Sequence, residues 1–210
     1  MLNLWFERVA KRQLKGYAKL IVYADDFVVC FEDNESARRF REMLKQRLAK
    51  FGMKIAEDKS RVIEFGRAVW EKARREGGKA ATFDFLGFTH FCDKTRKGKF
   101  KLGRKTSSKK FRQKMIAMNE WMKKVRNLMK REEWWKMLRM KMIGHYRYYG
   151  IRGNFPALRR FYNLTSRLAY KWLNRRSQRK SCGFAQYRRY LQFTLPAPKI
   201  YQSLYALSWY

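Results

Sequence analysis

Two adjacent aspartates, Asp25 and Asp26, are the residues of this chain whose type and spacing best suit chemistry. They stand between two apolar runs, residues 20–24 and 27–31, that are rich in β-branched and aromatic side chains. Such runs are typical of strands, so the sequence predicts a β-hairpin with both carboxylates at its tip. Two aspartates in a tight turn repel each other, and a divalent cation would offset that repulsion. Paired carboxylates that hold Mg²⁺ are an arrangement used in phosphoryl transfer.

The charge of the remaining chain favours this metal site over the alternative, a solvated acidic turn. The 210 residues carry a net charge of +34, so the expected partner is a polyanion, with nucleic acid the first choice. Fourteen of the seventeen acidic residues lie at or before Asp93, whereas residues 134–210 contain none and carry sixteen Lys and Arg. The sequence thus divides into a mixed-charge first half and an almost purely cationic second half.

Several classes of protein are disfavoured by composition. Hydrophobic residues make up 46% of the chain and aromatic residues 17%, which argues against disorder. The three cysteines, Cys30, Cys92 and Cys182, show no zinc-binding spacing and predict a reducing, cytoplasmic location. No apolar run approaches the length that spans a membrane, so no membrane partner is expected.

The first half alternates helical and strand-like patterns. We expect a helix over residues 1 to about 15, a hairpin over 19–31, and a helix that is capped near Asp33 and ends at Gly52. Short strands are predicted at 53–55 and 61–65, and a charged connection at 70–81. Residues 82–89 are expected to form a further strand or hairpin arm, whose interior glycine suggests a close approach by another backbone. This pattern predicts an α+β fold.

A cationic segment, residues 94–110, precedes a region of helical periodicity that predicts a small bundle. Aromatic residues at helical spacing are mainly core residues. Tyr146, Tyr148 and Tyr149, however, cannot all face one core, so either some stack on bases or ribose or all three serve packing. A run of four cations near the end of the third helix is either a solvated helix end or a set of phosphate contacts. Its members are Arg175, Arg176, Arg179 and Lys180.

An ordered set of motifs resembles group II intron reverse transcriptase/maturases over nearly the whole chain. The set comprises Leu4-Trp5-Phe6-Glu7, Tyr23-Ala24-Asp25-Asp26, residues 52–60, Phe85-Leu86-Gly87-Phe88, residues 144–150 and residues 172–178. The resemblance implies a partial polymerase palm at residues 1–93 and a basic linker or ribbon at 94–110. It also implies an α-helical thumb, the maturase or X domain, at 111–210.

The resemblance also implies roles for individual residues. Asp25 and Asp26 match the metal-binding tetrad of a two-metal Mg²⁺ site, Lys59 matches a general acid for departing pyrophosphate, and Phe85 to Phe88 match the primer grip. The cationic segment is expected to form an RNA-binding surface with two other sets of residues. These are the tyrosines Tyr146, Tyr148 and Tyr149 and the cations Arg175, Arg176, Arg179 and Lys180. The expected contacts of the cationic segment are Arg96, Lys97, Lys99, Lys101, Arg104, Lys105, Lys109 and Lys110.

The function implied is that of the carboxyl-terminal part of an RNA-directed DNA polymerase/maturase. Its partners would be group II intron RNA and an RNA/DNA primer-template, and its tasks would include RNA splicing and retrohoming. In the family, fingers and an early palm segment with another metal-binding aspartate precede the Leu4 to Glu7 helix. We therefore expect the chain alone to be inactive and an amino-terminal fragment to complete it. The alternatives are a non-catalytic RNA-binding maturase fragment and a degenerate remnant.

Overall fold

A computed structural model describes residues 2–176 and 183–202, with the side chains of residues 191–194 excepted. The chain divides into two compact units. The amino-terminal unit comprises Met1–Leu86 and His90–Leu102, and the helical unit comprises Gly87–Thr89 and Gly103–Tyr210. The described residues form seven α-helices and two small sheets, which confirms the mixed character expected from the sequence.

The elements up to the third helix belong to the amino-terminal unit. They are α1 (Leu2–Trp5), a π-helical turn (Phe6–Ala10), a 3₁₀ turn (Lys11–Gln13), β1 (Ala18–Tyr23), β2 (Asp26–Phe31), α2 (Asn34–Ala49) and α3 (Arg67–Arg75). Three strands follow, β3 (Phe83–Phe85), β4 (Phe88–Lys94) and β5 (Phe100–Thr106), and they form one sheet in that order. Strands β4 and β5 contribute residues to both units.

The core of the amino-terminal unit forms around Phe40 on α2. Phe6 lies edge-on to the Phe40 ring at 5.6 Å between centroids, and Phe31 of β2 lies at 5.4 Å. Aromatic pairs at these distances add specific attraction to the burial of apolar area. Helix α2 therefore holds both the opening helical segment and the β1/β2 hairpin.

Helix α2 begins where its capping signal predicts. The Asp33 carboxylate accepts a hydrogen bond of 2.7 Å from the Ser36 amide, and this bond is the main reason that the pKa of Asp33 is lowered. The cap satisfies one of the amides that a helix start leaves without a partner. Local signals alone thus account for this end of the helix.

The strands predicted at 53–55 and 61–65 are wrong, since neither stretch is extended into a strand. A short apolar run becomes a strand only when another strand offers hydrogen bonds, and these residues join neither sheet. Phe65 is instead held by its side chain, edge-on to Phe83 at 5.2 Å. Helix α3 occupies much of the connection that was expected at 70–81.

The helical unit contains α4 (Ser108–Val125), α5 (Arg131–Tyr149), α6 (Phe155–Leu173) and α7 (Phe184–Thr194). These helices lie where the apolar periodicity places them. Their fully buried side chains include Met122, Trp134, Leu138 and Phe161. Among the described residues, no helix combines the length and apolar composition that crossing a bilayer requires.

A histidine lies inside this core. The His145 ring stacks on Phe161 with 3.7 Å between ring centroids, and only 5% of the residue is exposed. Burial, with a smaller effect from the charge of Lys114, lowers the pKa of His145 to about 4. The folded helical unit therefore strongly favours the neutral imidazole.

We expect His145 to make the chain sensitive to acid. The pKa of His145 is lowered on folding from an ordinary value near 6.5. Its contribution to the free energy of unfolding is therefore complete above pH 6.5 and is lost as the pH falls toward 4. The loss is on the order of 3 kcal/mol at its limit. Chemical denaturation between pH 7 and 4 should show a shallower decline for His145→Gln than for the unsubstituted chain. Equal slopes for His145→Gln and the unsubstituted chain would contradict the assignment.

Candidate functional site

The two aspartates lie at the end of the β1/β2 hairpin. The strands pair in antiparallel register from Ala18 opposite Phe31 to Tyr23 opposite Asp26. Asp25 is therefore a turn residue, Asp26 is the first residue of β2, and both are exposed. The hairpin thus presents two neighbouring carboxylates to solvent at its tip.

The turn lies one residue earlier than the sequence predicts. It consists of Ala24 and Asp25, and Ala24 has the positive φ, 50°. The register explains this, because Ala18 is buried and Leu20 and Phe31 also pack against the core that contains Phe40. Once those pairs are fixed, residues 24 and 25 are the two left to close the hairpin.

Asp25 and Asp26 suit Mg²⁺ better than a metal that needs a closed cage. Mg²⁺ is commonly bound by one or two carboxylates and completes its shell with waters and substrate phosphates. Within residues 2–176 and 183–202, no group of three or more His, Cys, Asp or Glu could hold a metal ion. The exposed pair therefore fits a cation that is shared with a phosphorylated substrate.

Lys59 occupies a polar turn that α2 also supports. The neighbouring Glu57 pairs with Arg41 and with Lys45 of α2, and the Lys45 Nζ lies 3.1 Å from the Glu57 carboxylate. The hydrogen bond from Lys45, followed by that from Arg41, lowers the pKa of Glu57. Lys59 itself is exposed, and its amide donates to the Ala56 carbonyl at 3.0 Å. One helix thus positions both the hairpin and the lysine.

The residues predicted as a primer grip form the turn between β3 and β4. Leu86 and Gly87 both have positive φ, 49° and 77°, which is the pattern of the tightest hairpin turns. In the helical unit, a Cβ on Gly87 would lie 2.8 Å from the Tyr149 hydroxyl, and the Gly87 carbonyl accepts the Ser107 amide at 2.9 Å. The close approach expected at this glycine is therefore made by a side chain. Phe85 and Phe88 are both half-buried.

Most of the cationic segment is exposed. Arg96, Lys97 and Lys99 lie between β4 and β5, Lys101 and Lys105 lie on β5, and Lys109 and Lys110 lie in the first turn of α4. Arg104 is half-buried. Lys101 pairs with Asp93 at 2.9 Å, and its hydrogen bond lowers the pKa of that carboxyl.

Lysines at the start of α4 concentrate positive charge. The first turn contains Lys109 and Lys110 and no acidic residue. A helix start already carries partial positive charge, so basic residues there are unfavourable unless an anion approaches.

The three tyrosines have different environments. Tyr146 is completely buried, and burial strongly raises the pKa of its hydroxyl. Tyr149 is half-buried against Phe88, at 5.2 Å between ring centroids. Tyr148 is 50% exposed and lies nearly parallel to Phe88 at 6.0 Å. Tyr146 is therefore a packing residue, the alternative that the sequence left open, and Tyr148 presents the most accessible ring of the three.

Arg175 and Arg176 follow the end of α6. The Arg175 guanidinium lies over the Trp172 ring at 5.6 Å, and Arg176 donates to the Met129 carbonyl at 2.9 Å. These contacts hold both side chains. The Glu132 carboxyl has a lowered pKa, mainly because of the hydrogen bond from its own amide, and the charge of Arg176 adds a smaller effect. Arg179 and Lys180 lie outside the described residues.

Sequence reasoning missed the role of Asn154. It occupies the cap position at the start of α6, but its side chain makes no capping bond. The buried amide accepts from the Thr106 amide at 2.9 Å and donates to the Thr106 hydroxyl and the Tyr149 carbonyl, each at 2.8 Å. The signal in the sequence is an asparagine two residues before a proline at the start of a helix, and it does not specify these partners.

The comparisons with known proteins bear on the amino-terminal unit. Residues 1–90 match the reverse transcriptase (RNA-dependent DNA polymerase) family. This confirms the polymerase part of the resemblance, and the matched stretch contains Asp25, Asp26, Lys59 and the turn at Gly87. No curated protein and no solved structure gave a match. The main part of the helical unit, Gly103–Tyr210, lies outside the match, so its maturase assignment stays a prediction.

We expect Asn154 to be critical for the stability of the helical unit. Asn154→Ala would leave the Thr106 amide and the Tyr149 carbonyl without the partners they now have in a buried position. The expected loss is about 2 to 4 kcal/mol in the free energy of unfolding. Asn163→Ala, at an exposed position of α6, should change it by less than about 0.5 kcal/mol. Similar denaturation midpoints for the two variants would show that the Asn154 contacts contribute little.

Proposed function

We propose that the chain supplies the catalytic hairpin and the RNA-binding helices of an RNA-directed DNA polymerase of the group II intron reverse transcriptase/maturase kind. The main support is that the segment matching the reverse transcriptase family contains a hairpin whose end exposes two adjacent carboxylates. In this proposal the chain takes part in DNA synthesis on RNA, in splicing of the intron RNA and in its retrohoming.

Each candidate residue has a part in the proposed reaction. Asp25 and Asp26 hold Mg²⁺, which when bound stabilises the charge that develops on the attacking and leaving oxygens during nucleotidyl transfer. Lys59 donates a proton to the departing pyrophosphate, a role that suits an exposed ammonium group. The turn from Phe85 to Phe88 holds the primer strand.

The helical unit binds RNA in this proposal. Arg175 and Arg176 at the end of α6, with the lysines at the start of α4, contact phosphates. Tyr148 offers an exposed ring on which an unpaired base can stack. The same features support a second candidate function, a non-catalytic maturase fragment that holds folded intron RNA. Catalysis therefore has to be tested separately from binding.

The chain alone should not incorporate dNTPs on an RNA template with Mg²⁺, because two carboxylates hold too few positions for a two-metal site. Adding an amino-terminal reverse transcriptase fragment that supplies fingers and the early palm should restore primer extension. Asp25→Asn should lower the restored activity by at least about a hundredfold. Electrostatic stabilisation of the transition state is the largest catalytic effect expected here.

Asp58→Asn is the matched control, because it removes the same charge from an exposed position beside Lys59. It should keep the restored activity within a few fold. Robust extension by the lone chain would refute the need for a partner. Full activity of Asp25→Asn in the restored complex would refute the catalytic role of the hairpin.

Binding of structured RNA by the whole chain should depend steeply on salt. Each phosphate that the protein neutralises contributes about 0.7 to 0.9 to the slope of log affinity against log salt concentration. With several cations engaged, the affinity should fall by about a hundredfold or more between low and physiological salt. Fluorescence anisotropy across a salt series gives the slope, and an affinity that is nearly independent of salt would count against a phosphate-binding surface.

A further inference from the structure

Helix α6 carries a polar face that its apolar periodicity does not explain. Phe155, Arg159, Asn163 and Arg167 follow one another at intervals of four residues, and all four are exposed. Residues at this interval form a row along the helix surface. Arg160 and Leu164 belong to the adjacent row. Together with Pro156, these six residues line an open groove of about 440 Å³, called here the α6 groove.

The cations of the α6 groove lack acidic partners. Arg159 and Arg167 form no ion pair with another described residue, and no acidic residue occurs after Glu133. Arg160 is held differently, with its guanidinium 5.1 Å from the centre of the Phe111 ring. An arginine remains charged at every physiological pH, so these exposed, hydrated side chains are available to an anion from outside the chain.

The spacing of the arginines suits an extended ligand. Eight residues of helix separate Arg159 from Arg167, a rise of about 12 Å along the axis. Guanidinium groups bind phosphate oxygens with two parallel hydrogen bonds. Two such groups separated along one row can bind successive parts of a single strand that lies along the helix.

The other lining residues offer contacts that phosphate does not use. Phe155 is 44% exposed at the end of the row and presents a ring on which a base can stack. Asn163, midway between the two arginines, carries an amide that can both donate to and accept from the edge of a base. A duplex hides base faces and Watson–Crick edges, whereas an unpaired strand exposes both.

Charge also decides against a second copy of the chain as the occupant. Each copy carries +34, so bringing two basic grooves together is strongly unfavourable. An anionic lipid surface would match the arginines but would make no use of the Asn163 amide between them.

We propose that the α6 groove binds an unpaired stretch of RNA, with Arg159 and Arg167 on phosphates and Phe155 stacked on a base. The inference rests on the proposed RNA-binding function of the helical unit and adds a site to it. It also assigns that site a preference for single-stranded over duplex RNA.

The test compares two RNA probes on the full-length chain, a labelled oligouridylate and an RNA duplex with the same number of phosphates. Arg159→Gln with Arg167→Gln should weaken oligouridylate binding about tenfold or more and duplex binding by much less. Lys123→Gln with Lys124→Gln is the matched control, since it removes the same charge from exposed positions on α4. The control should change the oligouridylate affinity by no more than about twofold.

A second variant separates stacking from charge. Phe155→Leu keeps an apolar side chain but removes the ring, so it should weaken oligouridylate binding about fivefold or more and leave duplex binding unchanged. Melting temperatures of all variants should stay close to that of the unsubstituted chain, because the substituted side chains are exposed.

The outcomes distinguish the α6 groove from the proposed function. If the unsubstituted chain binds oligouridylate and the groove variants bind it equally well, the groove assignment is overturned and RNA binding stands. Equal losses for the groove and control pairs, or for both probes, would also overturn it. If the unsubstituted chain binds neither RNA, both proposals fall. Loss of binding to anionic phospholipid vesicles alone, with RNA binding intact, would assign the groove to a lipid surface and overturn the proposal.

Discussion

Positively charged side chains of the helical unit have to be held almost without carboxylates, since no acidic residue occurs after Glu133. Aromatic faces take their place. The side chains of Arg126 and Lys171 lie 4.9 Å from the centre of the Trp172 ring, and Lys141 lies 4.9 Å from the centre of Trp121. Cation–aromatic attraction orders such groups without neutralising them. The surface therefore keeps its full charge for a polyanion while its side chains are already partly ordered.

The amino-terminal unit depends on α2 in a comparable way. One face of this helix packs against the hairpin that ends in Asp25 and Asp26 through Phe40, and Arg41 holds the turn that carries Lys59 through Glu57. The candidate catalytic groups come from two separate stretches of chain. A single capped helix gives both a rigid support, which is what a site that must hold phosphates and metal in fixed positions requires.

The sequence predicts the elements whose signals are local. Helix α2 is predictable because Asp33 caps it and an apolar stripe runs along it. The four helices of the helical unit, α4 to α7, are predictable from their apolar periodicity. The strands expected at 53–55 and 61–65 do not form, because a strand requires a neighbouring strand as its hydrogen-bonding partner. The periodicity of a sequence does not identify that partner. The turn at Ala24 is displaced because its position follows from pairs that face the core, such as Ala18 with Phe31.

In the candidate site, too, the features that depend on local sequence are predictable and those that depend on distant partners are not. Asp25 and Asp26 are recognisable as neighbours in the chain, and their exposure follows from the hairpin. The burial of Tyr146 and the contacts of Asn154 are not recognisable, because they depend on side chains that meet across the helical unit. Asn154 reaches Thr106 over 48 positions of sequence, and no local pattern encodes an interaction of that range.

Neither unit is a single continuous stretch of chain, and this limits how the gene can be divided. The chain passes between the units three times, after Leu86, after Thr89 and after Leu102. A fragment that began at Lys94 would lack the carbonyl of Gly87 that accepts the Ser107 amide, and also the Phe88 ring that packs on Tyr148. Swapping the helical unit between related proteins as a cassette would therefore require the short segment around Gly87 to be carried along with it.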